Sequence, residues 1–286
     1  MICSLGSLLL KAQKGRYAIG AFNVFNLEFA LGIVKGSEQE RSPVILQLSP
    51  SIIDFFGMTT ILSSCLDIAK YSTVPVCVHL DHGKSTEFVL KALQSGFSSV
   101  MFDGSMLPFQ QNLEETCKLA KSAHTMNISI EAEIGKVGKE EDTMEKGNPI
   151  FQLTNLEEAV IFSKSTQIDA LAISIGSIHG VTNPNIILNL DLLKSIREKV
   201  ETPLVLHGSS GVMDDSIQKA IQYGITKINV ATRIKKKVAL SLENYYIHYG
   251  INGYININRI SGLIVDAVQL ETIDRIRLFG SSNTSH

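Results

Sequence analysis

The chain has 286 residues, 44% of them hydrophobic, with 26 basic and 28 acidic side chains for a formal charge of −2. That length and apolar content allow one large α/β barrel or two ordinary domains, and the scattered basic residues exclude the clustered footprint of a nucleic-acid partner. Tryptophan is absent and aromatics are few, which argues against a carbohydrate-polymer or aromatic-cage binder.

The N-terminal segment has one apolar run, Leu8–Leu10, without a basic leader or a small-residue cleavage site, and no later window is long and apolar enough for a membrane span. Cys3, Cys65, Cys77 and Cys117 lie far apart with no CxxC pair, so they read as buried small hydrophobes in a reducing compartment. A cytoplasmic protein with no membrane partner is expected.

Strands are predicted at Ala18–Phe22, Val44–Leu48, Val74–Leu80, Ser98–Phe102, Ile128–Ala132, Ala170–Ile175, Leu204–Leu206 and Thr226–Val230. Helical periodicity fills the gaps, at Glu28–Glu40, Glu87–Ser95, Asn112–His124, Leu156–Lys164, Leu190–Lys199 and Asp215–Tyr223. Pro43, Pro75 and Pro203 stand at strand entrances, where a missing N–H is tolerated, and Gly96 and Gly224 follow helices as caps do. Such alternation implies right-handed βαβ units and a parallel sheet. Eight units without a linker predict a single-domain (β/α)8 TIM barrel over residues 1–286 with a C-terminal helical extension; an open doubly wound sheet is the alternative. The stretch between Glu133 and Asn155 is too polar and glycine-rich to pack, and residues 135–149 are expected to form a mobile active-site loop.

Polar residues collect where the predicted strands end: Asn23, Ser49, Asp81-His82, Asp103, Glu133, His179-Gly180, His207-Gly208 and Asn229. In a (β/α)8 barrel this rim carries the chemistry. His82, His179 and His207 come from different strand ends, and three imidazoles with an open position match catalytic zinc. Strand alternation points Asp81 away from His82 and toward a substrate, as a proton donor or acceptor. Asp103 and Glu133 are expected either to hold a second divalent or monovalent cation or to orient the histidines. His79 is assigned to interior packing, and His124, His248 and His286 to no special role. The runs Gly208-Ser209-Ser210-Gly211 and Asn229-Val230-Ala231-Thr232 follow strands seven and eight, where barrels build phosphate sites from free N–H groups.

At these residues the chain resembles the class II (zinc-dependent) fructose- and tagatose-bisphosphate aldolases, from about Tyr17 to Asn283. The matching segments include Tyr-Ala-Ile-Gly-Ala-Phe-Asn (17–23), His-Leu-Asp-His-Gly (79–83), Ser-Val-Met-Phe-Asp-Gly-Ser (99–105) and Glu-Ala-Glu-Ile-Gly (131–135). They continue with Ile-Gly-Ser-Ile-His-Gly (175–180), Pro-Leu-Val-Leu-His-Gly-Ser-Ser-Gly (203–211), Lys-Ile-Asn-Val-Ala-Thr (227–232) and Phe-Gly-Ser-Ser-Asn (279–283). The resemblance implies zinc on His82, His179 and His207, Asp81 as the acid/base at the cleaved bond, and Asp103 and Glu133 lining a secondary cation position. It further implies that Gly180, Gly208, Ser210, Asn229, Ala231 and Thr232 hold a dihydroxyacetone-phosphate half, with Asn23 and Ser49 nearby. Glu141 corresponds to the residue proposed in the family to move the carbon proton.

Four features depart from the family's pattern: Val181-Thr182-Asn183 lacks a lysine near Asn183, Arg233 replaces an acidic residue, Lys139 replaces a glycine, and the C-terminal segment, where relatives often supply an arginine to the distal phosphate of a neighbouring subunit's substrate, offers only Arg259 as a loose candidate. Arg233 and Arg259 are the candidates for the substrate's distal group. The expected activity is reversible cleavage of fructose 1,6-bisphosphate, tagatose 1,6-bisphosphate or a related ketose phosphate to dihydroxyacetone phosphate and an aldehyde, by a homodimer or homotetramer in carbohydrate metabolism such as glycolysis. Two alternatives stand beside it: a Schiff-base aldolase using Lys227, which shares a strand face with Asn229, and a non-catalytic sugar-phosphate binding protein.

Overall fold

The structure is a computed structural model that describes residues 1–139, 151–181, 185–249 and 256–285. All eight predicted apolar runs are strands: β1 (Ile19–Asn23), β2 (Val44–Leu48), β3 (Val76–Gly83), β4 (Ser99–Phe102), β5 (Ser129–Ile134), β6 (Ala170–Ile173), β7 (Leu204–Leu206) and β8 (Ile225–Val230). Every strand pairs in parallel with its neighbours in sequence, and β1 closes on β8, with Ile19 opposite Lys227 and Ala21 opposite Asn229. The sheet is therefore a closed barrel without edges, and the open-sheet alternative is excluded. Both faces of each strand are covered, which is why the strands read as continuous apolar runs rather than alternating ones.

Helices follow the strands around the outside. Among them are α2 (Leu27–Gln39), the pair α3 (Pro50–Phe56) and α4 (Met58–Tyr71), and α5 (Thr86–Ser95). Next come α6 (Phe109–Thr125), α7 (Leu156–Thr166), α8 (Leu190–Lys199) and α9 (Asp214–Gln222). The extension consists of α10 (Thr232–Tyr249) and α11 (Ile257–Phe279). Helix α11 lies close along α2: a Cβ added at Gly32 would meet the Val265 carbonyl oxygen at 2.6 Å, and one at Gly36 would meet that of Gln269 at 2.9 Å. No single helix among the described residues is long and apolar enough to cross a membrane.

An N-terminal helix, α1 (Leu5–Gly15), is more than the expected short apolar run. Ser4 caps it through Ser7 N, and its Leu5, Leu8, Leu9 and Ala12 are buried. These side chains cluster with Ile19, Ala21, Ile45, Cys77, Ala172 and Val205, the lower layers of the barrel interior, and seal the end where the strands begin. The upper interior is polar instead: Gln47, His79, Glu131, His207 and Lys227 are fully buried, with Asn23, Asp81, Glu133 and Asn229 nearly so. Buried polar groups demand partners, so this layer marks the functional end.

Candidate active site

The three predicted histidines converge. His82 Nε2 lies 3.1 Å from His207 Nδ1, and the His179 ring centroid is 5.4 Å from that of His82 and 5.9 Å from that of His207. One ligand atom from each falls within 4.8 Å of the others. Two nitrogens on one tetrahedral zinc at about 2.0–2.1 Å would stand roughly 3.3 Å apart, so the donor set and its spacing fit that ion. His207 is fully buried, and burial together with the His82 and Lys227 charges holds its imidazole well below the usual range, in the neutral form a metal requires.

His82 reaches the site through a backbone departure. Its φ is 52°, in the left-handed region, and the β3–β4 register shifts between Leu80 and Gly83. This corrects the alternation reading, in which Asp81 and His82 point apart. The kink turns both into one pocket, with Asp81 Oδ1 3.8 Å from His82 Nε2. A non-glycine residue at positive φ is uncommon and concentrates at functional sites.

Carboxylates surround His82. Its Nδ1 is 2.8 Å from Asp103 Oδ2, and Asp103 Oδ1 accepts from the Ser105 hydroxyl at 2.7 Å. Burial opposes ionisation of Asp103, but the hydrogen bonds from His82 and Ser105 hold it well below the usual carboxylate range. Burial also opposes the charged form of His82; Asp81, Asp103 and Glu133 overcome it and raise the imidazole to about 9. Glu133 is pushed up to about 8 by burial and by Asp103. Its Oε2 is buried without a hydrogen-bond partner, 3.9 Å from His82 Nδ1 and 3.6 Å from His207 Nδ1. His82, Asp103 and Glu133 form a second group able to hold a cation. An orphaned carboxylate oxygen beside two imidazoles fits that role.

Asp81 is gripped by two amides: Asn23 Nδ2 donates to Oδ2 at 2.9 Å and Asn229 Nδ2 to Oδ1 at 3.3 Å. Burial would raise its pKa, yet the His82 and Lys227 charges and the Asn23 bond lower it below the ordinary value. Gln47 Nε2 supports Asn23 Oδ1 at 3.2 Å.

The pocket between these groups has a volume of ≈ 110 Å³. Asn23, Asp81, His82 and His179 line it together with Gly180, Gly208, Ser209, Ser210, Asn229, Ala231 and Thr232. Gly208 has φ +63°, and a Cβ there would meet the Ile178 backbone carbon at 2.8 Å, so only glycine fits under His179. Helix α10 begins at Thr232, and Ala231 and Thr232 line the pocket, so a helix N-terminus stands there, the usual setting of an anion site. A larger hollow of ≈ 370 Å³ lies at the opposite end, between Tyr17, Arg197 and Tyr223, and none of the predicted site residues lines it.

Several predicted residues lie elsewhere. Ser49 stands just before α3 without a side-chain cap bond, its hydroxyl 3.0 Å from that of Ser51, and is outside the pocket lining. Arg233 turns toward Asp214 (3.6 Å), which Arg275 also contacts at 3.1 Å. Arg259 donates to the Tyr249 hydroxyl at 2.7 Å and stacks over that ring. Neither arginine reaches the pocket lining within this chain. Glu141, most of the 135–149 loop, Asn183 and His286 lie outside the described residues. The base of that loop is described: Lys136 bridges Gln152, and Gly138–Lys139 pair in parallel with Ile178–His179.

Two residues without an assigned partner in the sequence reading belong to the site's support. Glu131 accepts from His207 Nε2 at 2.9 Å and meets Lys227 Nζ at 2.9 Å. A charged residue in the body of an apolar strand, in phase with Glu133, was the available signal. His79 is interior as expected, but in the polar layer, with Nδ1 2.9 Å from the Ser99 hydroxyl. Lys227 Nζ, fully buried and also bonded to Asn229 Oδ1 at 2.8 Å, has no approach for a carbonyl carbon, which removes the basis for Schiff-base chemistry.

A profile of the family "Fructose-bisphosphate aldolase class-II" matches residues 3–284. The sulfofructosephosphate aldolase of Alkalicoccus urumqiensis is 37% identical over 97% of this chain and 96% of its own length. The 6-phospho-5-dehydro-2-deoxy-D-gluconate aldolase of Halalkalibacterium halodurans is 40% identical over 81% and 80%. Among solved structures, the YdjI aldolase from Escherichia coli K12 superposes with a TM-score of 0.86 at 29% identity, covering 100% of both chains. The fructose-bisphosphate aldolase of Campylobacter jejuni shares the fold, with a TM-score of 0.81 at 20% identity and 99% and 96% coverage.

Proposed function

This chain belongs to the class II fructose-bisphosphate aldolase family and is a ketose-phosphate aldolase; from that premise we propose that it is zinc-dependent and uses Asp81 as its acid/base to cleave a ketose phosphate to dihydroxyacetone phosphate and an aldehyde. The observation that carries this reading is the approach of His82 Nε2 and His207 Nδ1 to 3.1 Å, with the Asp81 carboxylate opening into the same pocket.

His82, His179 and His207 hold the zinc, and Asp103 and Glu133 either orient His82 or hold a second cation. When bound, the metal supplies Lewis acidity that stabilises negative charge on the ketone half as the carbon–carbon bond breaks, a contribution of several kcal/mol. The loop Gly208–Ser210 and the α10 N-terminus at Ala231 and Thr232 bind the phosphate end, with Gly180 and Asn229 beside it. Asp81, kept ionised by its cationic neighbours and oriented by Asn23 and Asn229, takes the proton from the hydroxyl at the cleaved bond. Glu141 then returns a proton to carbon, a role that rests on the family resemblance.

Fructose 1,6-bisphosphate and tagatose 1,6-bisphosphate are the first substrates to test. The relatives' names add two distal groups, a sulfo group and a gluconate carboxylate, on substrates that also carry a phosphate. The testing experiment is cleavage of a ketose-phosphate panel with phosphate, sulfonate or carboxylate at the distal end, before and after chelation and zinc restoration. Chelator-sensitive release of dihydroxyacetone phosphate is expected from at least one member. Binding of these compounds without turnover by the zinc-loaded protein would overturn the reading in favour of a non-catalytic sugar-phosphate binder.

A further inference from the structure

Lys227 lies on β8, fully buried and outside the pocket lining. Its Nζ meets Glu131 Oε2 at 2.9 Å and Oε1 at 3.2 Å, and donates to Asn229 Oδ1 at 2.8 Å. Each acceptor has a second contact one step nearer the pocket. Glu131 Oε1 is 2.9 Å from His207 Nε2, and Asn229 Nδ2 donates to Asp81 Oδ1 at 3.3 Å. One ammonium therefore stands at a fork whose arms end on a metal-binding histidine and on the acid/base carboxylate.

The donor and acceptor inventory gives the fork a direction. An ammonium can only donate, and an ionised carboxylate can only accept. Glu131, accepting from Lys227, leaves His207 Nε2 as the nitrogen that carries the hydrogen. His207 Nδ1 is then the bare nitrogen, and it is the one facing His82 Nε2 at 3.1 Å. On the other arm, an amide whose oxygen is held by the ammonium must turn its nitrogen toward Asp81. Reversing either group would set donor against donor or acceptor against acceptor in a dry interior, at a cost of about 1–3 kcal/mol for each unsatisfied group.

We propose that Lys227 is a positioning residue: through Glu131 it fixes His207 as the Nε2–H tautomer with Nδ1 free for the metal, and through Asn229 it presents an N–H to Asp81. Its consequence for turnover rests on the aldolase reading above; its consequence for the His207 tautomer does not. A purely structural ion pair would behave differently, since neutral replacements of a buried pair often leave stability and local function intact.

The test is a long-range proton–nitrogen correlation spectrum of the histidine-labelled, metal-free full chain, with the His207 signal identified by its loss in His207→Gln. In the unaltered protein the spectrum should report hydrogen on Nε2; hydrogen on Nδ1 would overturn the proposal at once. In Lys227→Met the Glu131 carboxylate loses the ammonium that anchors both its oxygens and is free to swing off His207 Nε2, so the tautomers should mix. Zinc affinity, measured by competition with a chelating dye, should fall by about 10–100-fold, the usual effect of losing an outer partner of a metal ligand. The kcat should fall while KM changes little. If Lys227→Met does not fold, the neutral pair Lys227→Met with Glu131→Gln takes its place, and the same tautomer mixing and weakened zinc binding are expected. Original tautomer and original zinc affinity in a folded variant would refute the positioning role. An unaltered chain that shows the tautomer and zinc responses but cleaves no ketose phosphate would instead refute the aldolase reading and leave this one standing.

Discussion

Asp81 and His82 are neighbours in the chain, and both side chains open into the same pocket because His82 adopts φ 52° where the β3 register breaks. The left-handed backbone is thus a requirement of the site and a constraint on what can replace His82. Asparagine tolerates this region, whereas a β-branched side chain does not. His82→Asn and His82→Val should both lose bound zinc and the stability of the His82–Asp103 contact, and His82→Val should lose about 1–2 kcal/mol more than His82→Asn. Denaturant unfolding of the metal-free variants checks the difference, and equal stabilities would show that the kink carries no strain.

Zinc binding should be strongly pH-dependent. With no metal bound, His82 holds its proton up to about 9 because Asp81, Asp103 and Glu133 outweigh its burial. A metal must displace that proton, so apparent affinity rises with pH by about tenfold per unit and levels off as pH approaches the pKa. His207, already neutral, adds nothing to the slope. Chelator competition across a pH series measures this, and a flat profile from mildly acidic to mildly alkaline pH would rule out His82 as the protonated ligand.

Asp81 and Glu141 should separate by isotope exchange. Asp81→Asn keeps the shape between Asn23 and Asn229 but removes the base. Cleavage should fall by roughly 10²–10⁴-fold while zinc content and solvent-deuterium exchange into dihydroxyacetone phosphate persist. Glu141→Gln should show the opposite pattern, with exchange lost and zinc retained. The same exchange loss in Glu140→Gln but not in Glu141→Gln would transfer the role to the neighbouring carboxylate.

Gly208 is the tightest point of the phosphate wall. A Cβ there would meet the Ile178 carbon at 2.8 Å and His179 N at 3.0 Å, on a backbone at φ +63°. Gly208→Ala should cost at least about 1–2 kcal/mol for the left-handed conformation alone and should displace His179. Dihydroxyacetone-phosphate affinity and zinc affinity should fall together. If only phosphate affinity falls, the contact with His179 is more compliant than its distances require.

Arg233 should contribute to stability more than to substrate choice. Its guanidinium faces Asp214 alongside Arg275, not the pocket. Arg233→Ala should leave the ratio of rates for phosphorylated and unphosphorylated aldehyde partners unchanged in the cleavage or condensation assay. A selective loss for one partner would mean that the side chain swings into the site when substrate binds.

The repeating unit and the polarity of one barrel end were legible along the chain. Apolar runs such as Val44–Leu48 and Leu204–Leu206 set strands because period and branching act over a few residues. The polar residues at their ends, among them His82, His179 and His207, announced the rim before any contact was known. The tertiary structure alone decided which of these residues touch. Closure of β1 on β8 set Lys227 of β8 beside Glu131 of β5, across 96 positions of chain, and no local pattern records a pairing across the barrel. The alternation rule separated Asp81 from His82, and a single left-handed residue overrode it. Ser49, Arg233 and Arg259 sat at plausible positions in sequence, yet a hydroxyl contact with Ser51, an ion pair and aromatic stacking hold their side chains elsewhere. The physical reason is range: strand and helix propensities are settled by neighbours along the chain, whereas a buried polar network is settled by which donors and acceptors the closed barrel brings within about 3 Å of each other.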